Sequence, residues 1–317
     1  MSIEGEQYPG DTGAWLSVVS ETYSLDSHES SYGHFYRSSE ILGKSYATVA
    51  PFLTDSARFQ GILEDDTNRL TAFFEELEVD YALIKSRHCD LSKISIHFDT
   101  EYNYSTFLLN LAGGPDYVWT NRVSSKTRNQ TRKGLKQNAL VKWGREELLA
   151  DFFDVVSRAW RDLGTPTHSP LFYRNILKSF GEGAELIVIY MDNTAVSAAI
   201  CLIENDTIYH PYAATLKSVR GSSINNVLYW EIIKYGCKRG LKYFDLGRSH
   251  CSQGTYRFKA SWGAKAVPLF YSYWQKDHSR KLPVLDTPFY RMACAGWKRT
   301  PLWVANRLGP HLIRKVL

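Results

Sequence analysis

Apolar and polar positions divide the second half of the chain into alternating helix-type and strand-type segments. Apolar residues recur every three to four positions over 146–164, which predicts an amphipathic helix that ends at Gly164. Ser169 and Pro170 then supply an N-cap and a first helical residue. The full pattern predicts helices at 146–164 and 171–180, strands at 185–191, 194–204 and 207–214, a helix at 222–240, a strand at 242–247, a helix at 254–263 and a strand at 266–274.

Short connections and long connections between these strands predict how they pair. Asp192-Asn193 and Asn205-Asp206 are two-residue turns, which join antiparallel neighbours. The strand at 242–247 follows a long helix, so a crossover places it parallel to 207–214. We therefore predict one mixed sheet over 185–274.

The first half of the chain has a less regular pattern. It predicts a short helix at 15–23, a strand at 44–53, an amphipathic helix at 66–79, strands at 81–86, 93–99 and 104–112, and a basic helix at 121–138 that Ser124 or Ser125 caps. Gly134 weakens the end of that basic helix.

The composition narrows the class of protein. The 317 residues are 44% hydrophobic and 22% charged, values that exclude a disordered, collagenous or coiled-coil chain. No apolar run approaches the roughly 20 residues of a membrane span, and the acidic start lacks a secretory signal. The five cysteines are scattered and predict neither a disulfide framework nor a metal site. We expect a soluble cytoplasmic protein with no metal.

Positive charge is concentrated in two segments, although the net charge is only +5. Residues 122–145 contain eight basic residues and no acidic one, and residues 280–317 contain eight basic residues and one acidic one. The rest of the chain is acidic. This distribution indicates a polyanionic partner such as a phosphate, a nucleic acid or an anionic membrane surface, or else two solvated helix faces.

Several stretches of sequence resemble one enzyme family. They are LGTPTHSPLFYRNIL (163–177), LYWEIIKYGCKRGLKYFDLGRSH (228–250), GTYRFKASWGAKAVPLFYSY (254–273) and NRLGPHLIR (306–314), together with the basic helix WTNRVSSKTRNQTRKGLKQ (119–137). They resemble the FemAB-like branch of the GNAT acyltransferase superfamily, which includes BioF2-like acetyltransferase domains, and are most similar to exosortase- and exopolysaccharide-associated members. The order of elements over 146–274 is also the GNAT order, without its first strand.

The resemblance implies a fold, a division of the chain and an activity. The fold is α/β (α+β), with two GNAT-like halves that each contain a mixed, mostly antiparallel sheet flanked by helices. The halves are 1–144, which ends in the basic linker helix, and 145–277; a basic aromatic tail follows at 278–317. A V-shaped opening is expected between the second and third strands of the meander. The implied activity is transfer of an acyl or aminoacyl group to an amine in cell-envelope or exopolysaccharide biosynthesis.

Acyl transfer to an amine requires a stabilised oxyanion and a route for protons. The resemblance places Phe258 and Lys259 at the acyl-transfer site, where the Lys259 ammonium would meet the oxyanion. Tyr256, one helical turn earlier, would protonate the leaving group. The alternative for Lys259 and Phe258 is a surface lysine beside a core phenylalanine. The alternative for Tyr256 is a packed aromatic ring.

Four further residues are candidates because of where the strands place them. Asp245 and Arg248 flank Gly247 at the end of a strand, where α/β proteins build sites. Asp245 would accept the amine proton and Arg248 would bind phosphate, or the two form an ion pair. His210 and Tyr212 are two apart on a strand, so we expect them to share a face. His210 would act as the base, because the ordinary pKa of histidine suits this role, and Tyr212 would lie beside the substrate. The alternative is that His210 is a histidine of the core.

The donor and acceptor follow less directly from the sequence. LKSVRGSSINN (216–226) retains Arg220 and Gly221 of a CoA-binding loop but lacks its second glycine. The co-substrate is therefore acyl-CoA or aminoacyl-tRNA, with no tightly bound cofactor. Arg128 and Arg132 lie one turn apart and would hold a diphosphate or tRNA.

The tail offers a second kind of contact. Its segments at 289–300 and 302–308 combine basic residues with Trp297 and Trp303, and its prolines exclude one long helix. The tail would contact the inner face of the membrane and a lipid-linked acceptor, or else it packs over the first half of the chain. If the acceptor is not lipid-linked, it is a small molecule. The competing function is a non-catalytic module that binds polyanions, a nucleic acid or a membrane surface, through the basic segments.

Overall fold

A computed structural model describes residues 7–39, 43–277 and 288–315, and its strands all join one sheet. The strands are β1 (Asp26–Ser30), β2 (Gly33–Ser39), β3 (Ser45–Thr48), β4 (Tyr81–Ser86), β5 (Phe98–Asn110), β6 (Leu140–Gly144), β7 (Ala184–Met191), β8 (Thr194–Glu204), β9 (Thr207–Thr215), β10 (Tyr243–Asp245), β11 (Ser249–His250) and β12 (Lys265–Gln275). Across the sheet the order is β1-β2-β3-β4-β12-β5-β10-β9-β8-β7-β6, and β11 pairs with β5.

Helices cover both faces of this sheet. They are α1 (Gly13–Tyr23), α2 (Glu64–Glu76), α3 (Gly114–Tyr117), α4 (Ser125–Leu135), α5 (Leu149–Leu163), α6 (Pro170–Phe180), α7 (Ile224–Lys238), α8 (Gly254–Ala260), α9 (Pro288–Trp297) and α10 (Leu302–Ile313). Helices α1, α5 and α6 bury apolar side chains against one face. Helix α7 packs on the opposite face of the second half, and α2 packs beside β4 in the first half.

The predicted strand pairing is confirmed. Strands β7, β8 and β9 form an antiparallel meander, and the turn residues Asp192, Asn193 and Asn205 have the positive φ angles that tight hairpin turns require. Strand β10 pairs with β9 in parallel, with Tyr243 opposite Thr207. The mixed α/β sheet flanked by helices is therefore as expected from the sequence.

The capping residues also act as predicted. The Ser124 side chain accepts a hydrogen bond from the Thr127 amide at the start of α4. Ser169 does the same for Phe172 at the start of α6, with Pro170 as the first helical residue. Gly164 ends α5 with a φ of 87°, a value that favours glycine.

The strand predicted at 93–99 was wrong, and several strands were missed. The segment 93–99 is not a strand, because Leu91–Lys93 forms a single 3-10 turn and β5 begins only at Phe98. Local hydrogen bonds compete with strand pairing here: the Ser92 hydroxyl donates to the Asp90 carboxylate at 2.7 Å. Conversely, the first strand of the GNAT order, which the sequence pattern lacked, is β6, at the end of the predicted first half. It is a short edge strand paired with β7, and its half-exposed side chains conceal the alternation.

A β-bulge separates two residues that were expected to share a face. The register passes from Ile200 opposite Tyr212 to Leu202 opposite Tyr209, so β9 contains one extra residue. His210 consequently packs against Tyr229 on the α7 face. The side chain of Tyr212 packs on the other face, against helix α6. The expectation that His210 and Tyr212 point the same way was wrong.

The opening in the sheet lies beside β9, one strand away from its expected place. Strands β8 and β9 stay paired as far as Thr215, so no gap separates the second and third strands of the meander. Strand β10 pairs with β9 only over Thr207–Tyr209. The rest of β9 is unpaired on that side, and this is where the sheet opens.

Strands from both predicted halves alternate at the centre of the sheet. Strand β12, from the second half, lies between β4 and β5 of the first half and is antiparallel to both. The boundary between 1–144 and 145–277 stays a prediction. The consequence for the site is that side chains from both halves meet beside β10.

Close packing between α4 and α7 leaves no room for a side chain at Gly134, so this glycine has a packing role besides weakening the end of the basic helix. A Cβ at this position would lie 2.6 Å from Val227 Cγ2 and 2.7 Å from the Ser223 carbonyl oxygen, where α4 crosses the start of α7. We expect Gly134→Ala to destabilise the protein by about 1–3 kcal/mol, because overpacking outweighs the better helix propensity of alanine.

The matched control for that prediction is Gly296→Ala in α9, where a Cβ meets nothing within 4 Å. This change is expected to be neutral or to stabilise by up to about 1 kcal/mol. Urea unfolding of both variants is the measurement. Equal effects of the two substitutions would contradict the packing role of Gly134.

Candidate active site

Lys259 lies at the centre of the site and is buried, with 8% of its surface exposed. It belongs to the short helix α8, and its ammonium group donates hydrogen bonds to the carbonyl oxygens of Gly247 and Arg248, each at 2.9 Å. Burial lowers the pKa of Lys259 to about 8; the Asp245 carboxylate opposes this shift and the Arg248 cation adds to it. The alternative of a solvent-facing surface lysine is therefore wrong.

Asp245 is fixed by three donors at the end of β10. Its Oδ1 accepts hydrogen bonds from the Thr106 hydroxyl (2.5 Å) and the Gly247 amide (2.8 Å), and its Oδ2 accepts one from Arg87 (2.9 Å). The expected ion pair of Asp245 with Arg248 is not formed, because Arg87 takes that position.

Arg87 and Asp55 are site residues that the sequence analysis missed. Arg87 Nε donates to Asp55 at 2.5 Å, and all three members of the Asp55–Arg87–Asp245 triad are buried. The Arg87 guanidinium also stacks 4.2 Å from the centre of the Tyr8 ring. The only signal in the sequence was a polar segment directly after β4, which by itself indicates a loop.

Arg248 turns away from Lys259 toward the tyrosines of β5 and β12. Its Nη1 donates to the Tyr271 hydroxyl at 2.9 Å. Its guanidinium carbon lies 4.8 Å from the centre of the Tyr104 ring and 5.7 Å from that of Tyr271. The residue is solvent-exposed. It is the backbone of Arg248, therefore, that contacts Lys259, while the side chain forms a separate cationic surface.

His210 does not have the pKa on which its proposed role as a base depended. It is buried between Tyr229 and Phe244, and burial lowers its pKa to about 3, with a further contribution from the nearby Lys259 cation. Within the described chain, neither ring nitrogen has a hydrogen-bond partner. A neutral, weakly basic imidazole follows. Tyr212 is a core residue, and its hydroxyl donates to the Phe52 carbonyl at 3.1 Å.

The two aromatic residues of α8, Tyr256 and Phe258, both precede Lys259 in sequence. Tyr256 is half-buried and packs edge-on against Phe107, with 4.8 Å between the ring centres. Phe258 packs edge-on against Tyr229 at 5.0 Å. Phe258 and Lys259 both line a cleft, so the Phe-Lys pair is brought to one place, whereas Tyr256 is not among the residues that line the cleft.

This cleft occupies the opening beside β9. It has a volume of about 360 Å³ and lies between the end of α5, the unpaired part of β9, the start of α7 and α8. Its lining includes Trp160, Ala213, Arg220, Tyr229, Phe258 and Lys259. Arg220 is exposed at this cleft. The cleft thus joins a cationic side chain near the surface to the buried ammonium of Lys259.

The two arginines of the basic helix have different roles. Arg128 Nη1 donates to the carbonyl oxygens of Trp119, Thr120 and Val123, and so holds the turn before α4. Arg132 is exposed, and its guanidinium lies 5.4 Å from the centre of the Trp119 ring. They do not form a joint phosphate clamp in this conformation.

The tail forms two helices, and part of it is built into the core. In α10, Ala305 and Ile313 are buried, and a Cβ on Gly309 would lie 2.9 Å from the Thr167 carbonyl oxygen. Trp303 is 73% exposed and Met292 is 68% exposed. Residues 278–287 lie outside the described residues. No helix of the part described is long and apolar enough to cross a membrane, and in the same part no three His, Cys, Asp or Glu side chains group as metal ligands do.

The sheet, its opening and the cleft define a GNAT fold, and sequence comparison agrees. Residues 121–260 match a family model described as an acetyltransferase (GNAT) domain. This match and the fold support an acyltransferase. No curated protein matches the sequence significantly.

Solved structures give the same fold at low sequence identity. One is FemX, with a TM-score of 0.62, 13% identity, and coverage of 83% of this chain and 92% of that one. L-PGS from Bacillus licheniformis has a TM-score of 0.55, 13% identity, and coverage of 94% of this chain and 100% of that one. The C-terminal domain of a putative lysylphosphatidylglycerol synthetase from Agrobacterium fabrum has a TM-score of 0.58 and 12% identity, and the match covers 83% and 88% of the two chains.

Proposed function

We propose that the protein is an N-acyltransferase that moves an acyl or aminoacyl group from a donor in the cleft to an amine. The observation that carries this proposal is the buried ammonium of Lys259 at the opening in the sheet. An ammonium group has three N–H donors, and two of them are bonded to Gly247 and Arg248. Within the described residues the third has no partner, so it can bond a developing oxyanion, and the burial of Lys259 strengthens that interaction.

The proposed reaction needs no covalent enzyme intermediate. The amine nitrogen attacks the acyl carbon, the carbonyl oxygen becomes an oxyanion beside Lys259, and the bond from carbon to the leaving sulfur or oxygen breaks. The amine loses one proton and the leaving group gains one. The resemblance implies Tyr256 as the donor of the second proton, but Tyr256 does not line the cleft, so this role stays a prediction. Asp245 is held by Arg87, Thr106 and Gly247, and we propose that it acts mainly by positioning the Gly247 carbonyl.

The donor is proposed to be acyl-CoA, with aminoacyl-tRNA as the alternative. GNAT domains use acyl-CoA as a co-substrate, and residues 121–260 match such a domain. Arg220 is exposed at the cleft, where it can contact a phosphate group of either donor. Structural similarity to FemX and L-PGS leaves the choice open, since it reflects the fold alone.

Mass spectrometry of ligands that copurify with the protein, followed by transfer assays, tests the proposed function. Acetyl-CoA and aminoacyl-tRNA are offered as separate donors with a mixture of primary amines, and the acylated product is identified. Donor-dependent N-acylation that Lys259→Met lowers by roughly 10²–10³ supports the proposal. Salt-dependent binding of polyanions with no transfer from either donor would favour the non-catalytic alternative.

We further propose that the tail contacts an anionic membrane surface, as an enzyme acting on a lipid-linked envelope or exopolysaccharide acceptor requires. The supporting observation is that Trp303, Met292 and Leu308 are exposed beside the basic residues of α9 and α10. This would place the protein at the inner face of the membrane. Removing the whole tail is a poor test, because Ala305 and Ile313 are part of the core.

Point substitutions test the membrane contact more sharply. The intact protein is expected to sediment with vesicles that contain phosphatidylglycerol at low salt, and Trp303→Ser with Met292→Ser should reduce the bound fraction several-fold, because interfacial aromatic and apolar contacts are lost. Ile96→Ser is the matched control, since Ile96 is 94% exposed but lies outside the tail. Failure of the intact protein to sediment would remove this proposal and leave the acyltransferase proposal intact.

A further inference from the structure

The side chain of Arg248 forms a cationic surface with Tyr104, Tyr271 and Tyr273, which we name the Arg248 patch. Tyr104 and Tyr271 stack with 5.1 Å between ring centres, and the Arg248 guanidinium lies over both rings. The Tyr271 hydroxyl accepts from Arg248 and donates to the Thr54 carbonyl at 3.0 Å. The guanidinium is therefore held in one orientation before any ligand binds.

No carboxylate of the described residues pairs with Arg248. Among the described residues its side chain makes one hydrogen bond, to Tyr271, so most of its N–H donors have no partner there. On neighbouring β5, Glu101 accepts a hydrogen bond from the Asn103 amide instead of pairing with Arg248. A guanidinium that is oriented by packing yet keeps its fork of donors free is suited to bidentate binding of a carboxylate or phosphate.

The surrounding charges also favour a bound anion. Lys85 and Lys259 each lie close enough to Arg248 for the positive charges to repel. Two acids, Asp55 and Asp245, are both bonded to Arg87. Lys85 is buried and, within the described residues, donates to the carbonyl oxygens of Ala50 and Leu53; burial lowers its pKa to about 7. Without Lys85, three cations (Arg87, Arg248 and Lys259) still face two acids, and a bound anion would balance the third.

The position of the patch assigns the anion to one substrate. Lys259 lines the donor cleft, whereas Arg248 and its tyrosines do not. Yet the Arg248 carbonyl oxygen accepts a hydrogen bond from the Lys259 ammonium, so the backbone of Arg248 contacts the proposed reacting centre while its side chain forms the patch. We propose that the Arg248 patch binds a carboxylate or phosphate of the acceptor, whose amine then lies toward Lys259. This inference rests on the proposed function, because it supposes that the substrate is an amine acceptor.

Matched amines with and without an anion test this inference. The probes are phosphoethanolamine against ethanolamine, and glycine against glycinamide, each titrated into the full-length protein at low salt by ligand-observed NMR. The protein is expected to bind the anionic member of at least one pair roughly tenfold to hundredfold more tightly, as hydrogen bonds to a charged group imply. The pair with the larger difference tells phosphate from carboxylate.

Three variants separate this site from the donor cleft. Arg248→Gln should abolish the preference for the anionic probe, and Arg248→Lys should keep part of it because the charge remains but the fork is lost. Arg220→Gln, in the cleft, should leave the preference unchanged. Equal binding within both pairs, or an unchanged preference in Arg248→Gln, would overturn the inference. If the protein transfers acyl groups but shows no preference for the anionic probe, the inference is overturned and the proposed function still holds.

Discussion

Lys259→Met is expected to lower turnover by roughly 10²–10³, the cost of removing one oxyanion donor. Methionine keeps much of the side-chain volume but cannot donate a hydrogen bond. The measurement is kcat with the donor and acceptor identified by the transfer assay. Lys265→Met is the control, because Lys265 is an exposed lysine on β12, and its turnover should match that of the parent.

The same substitution is expected to lower stability, because Lys259 is buried. The carbonyl oxygens of Gly247 and Arg248 lose their donor, which costs about 1–3 kcal/mol in the free energy of unfolding. Rates must therefore be expressed per folded molecule, with the folded fraction measured by circular dichroism. A folded Lys259→Met protein with parental turnover would reduce Lys259 to a structural residue.

The pKa of Lys259 gives this prediction a pH dependence. In the folded protein the pKa is about 8, below the ordinary value of 10.5. Turnover should fall as pH rises through about 8, since the ammonium loses its charge. The contribution of Lys259 to stability should rise between about 8 and 10.5, because there the unfolded chain binds the extra proton. Opposite slopes for activity and stability in this window are the expected signature.

Arg87→Met is expected to destabilise the protein by about 3–5 kcal/mol, because it leaves the buried carboxylates of Asp55 and Asp245 without their partner. The control is Arg158→Met, which breaks an exposed ion pair with Asp154 and should cost less than about 1 kcal/mol. Urea unfolding at neutral pH measures both. Similar midpoints for the two variants would contradict the importance of the triad.

A partial rescue makes the test of the triad sharper. When Asp55→Asn is added to Arg87→Met, one uncompensated buried charge is removed, so part of the lost stability should return. In the presence of Arg87, Asp55→Asn alone should destabilise. If the two changes simply add, the side chains are not coupled and the triad is not a unit.

The sequence predicted the regular parts of the fold and the neighbourhood of the site, but not the contacts between the halves. Two-residue turns and the long helix before β10 determined the pairing of β7 to β10, because these signals are local. The β-bulge at His210 was not predictable in this way, because one extra residue in β9 leaves the apolar pattern intact while reversing the side-chain faces.

Arg87 and Asp55 escaped detection for a related reason. Each is a polar residue in an irregular segment, and only the tertiary fold brings them to Asp245, which is 158 positions from Arg87. Lys259 was found through the Phe-Lys motif, yet its burial depends on the backbone of Gly247 and Arg248. The sequence thus indicates which residues carry chemistry more readily than it indicates which residues position them.

The place of β12 in the sheet has a consequence for how the chain folds. Its two neighbours, β4 and β5, are synthesised more than 150 residues earlier. They cannot both pair with β12 until Lys265–Gln275 has been synthesised. Until then both present unpaired edges, which can pair with other chains. We therefore expect slow, late closure of the sheet, high contact order, and aggregation of chains that stop before residue 265. A nascent chain therefore keeps these edges open until β12 has left the ribosome.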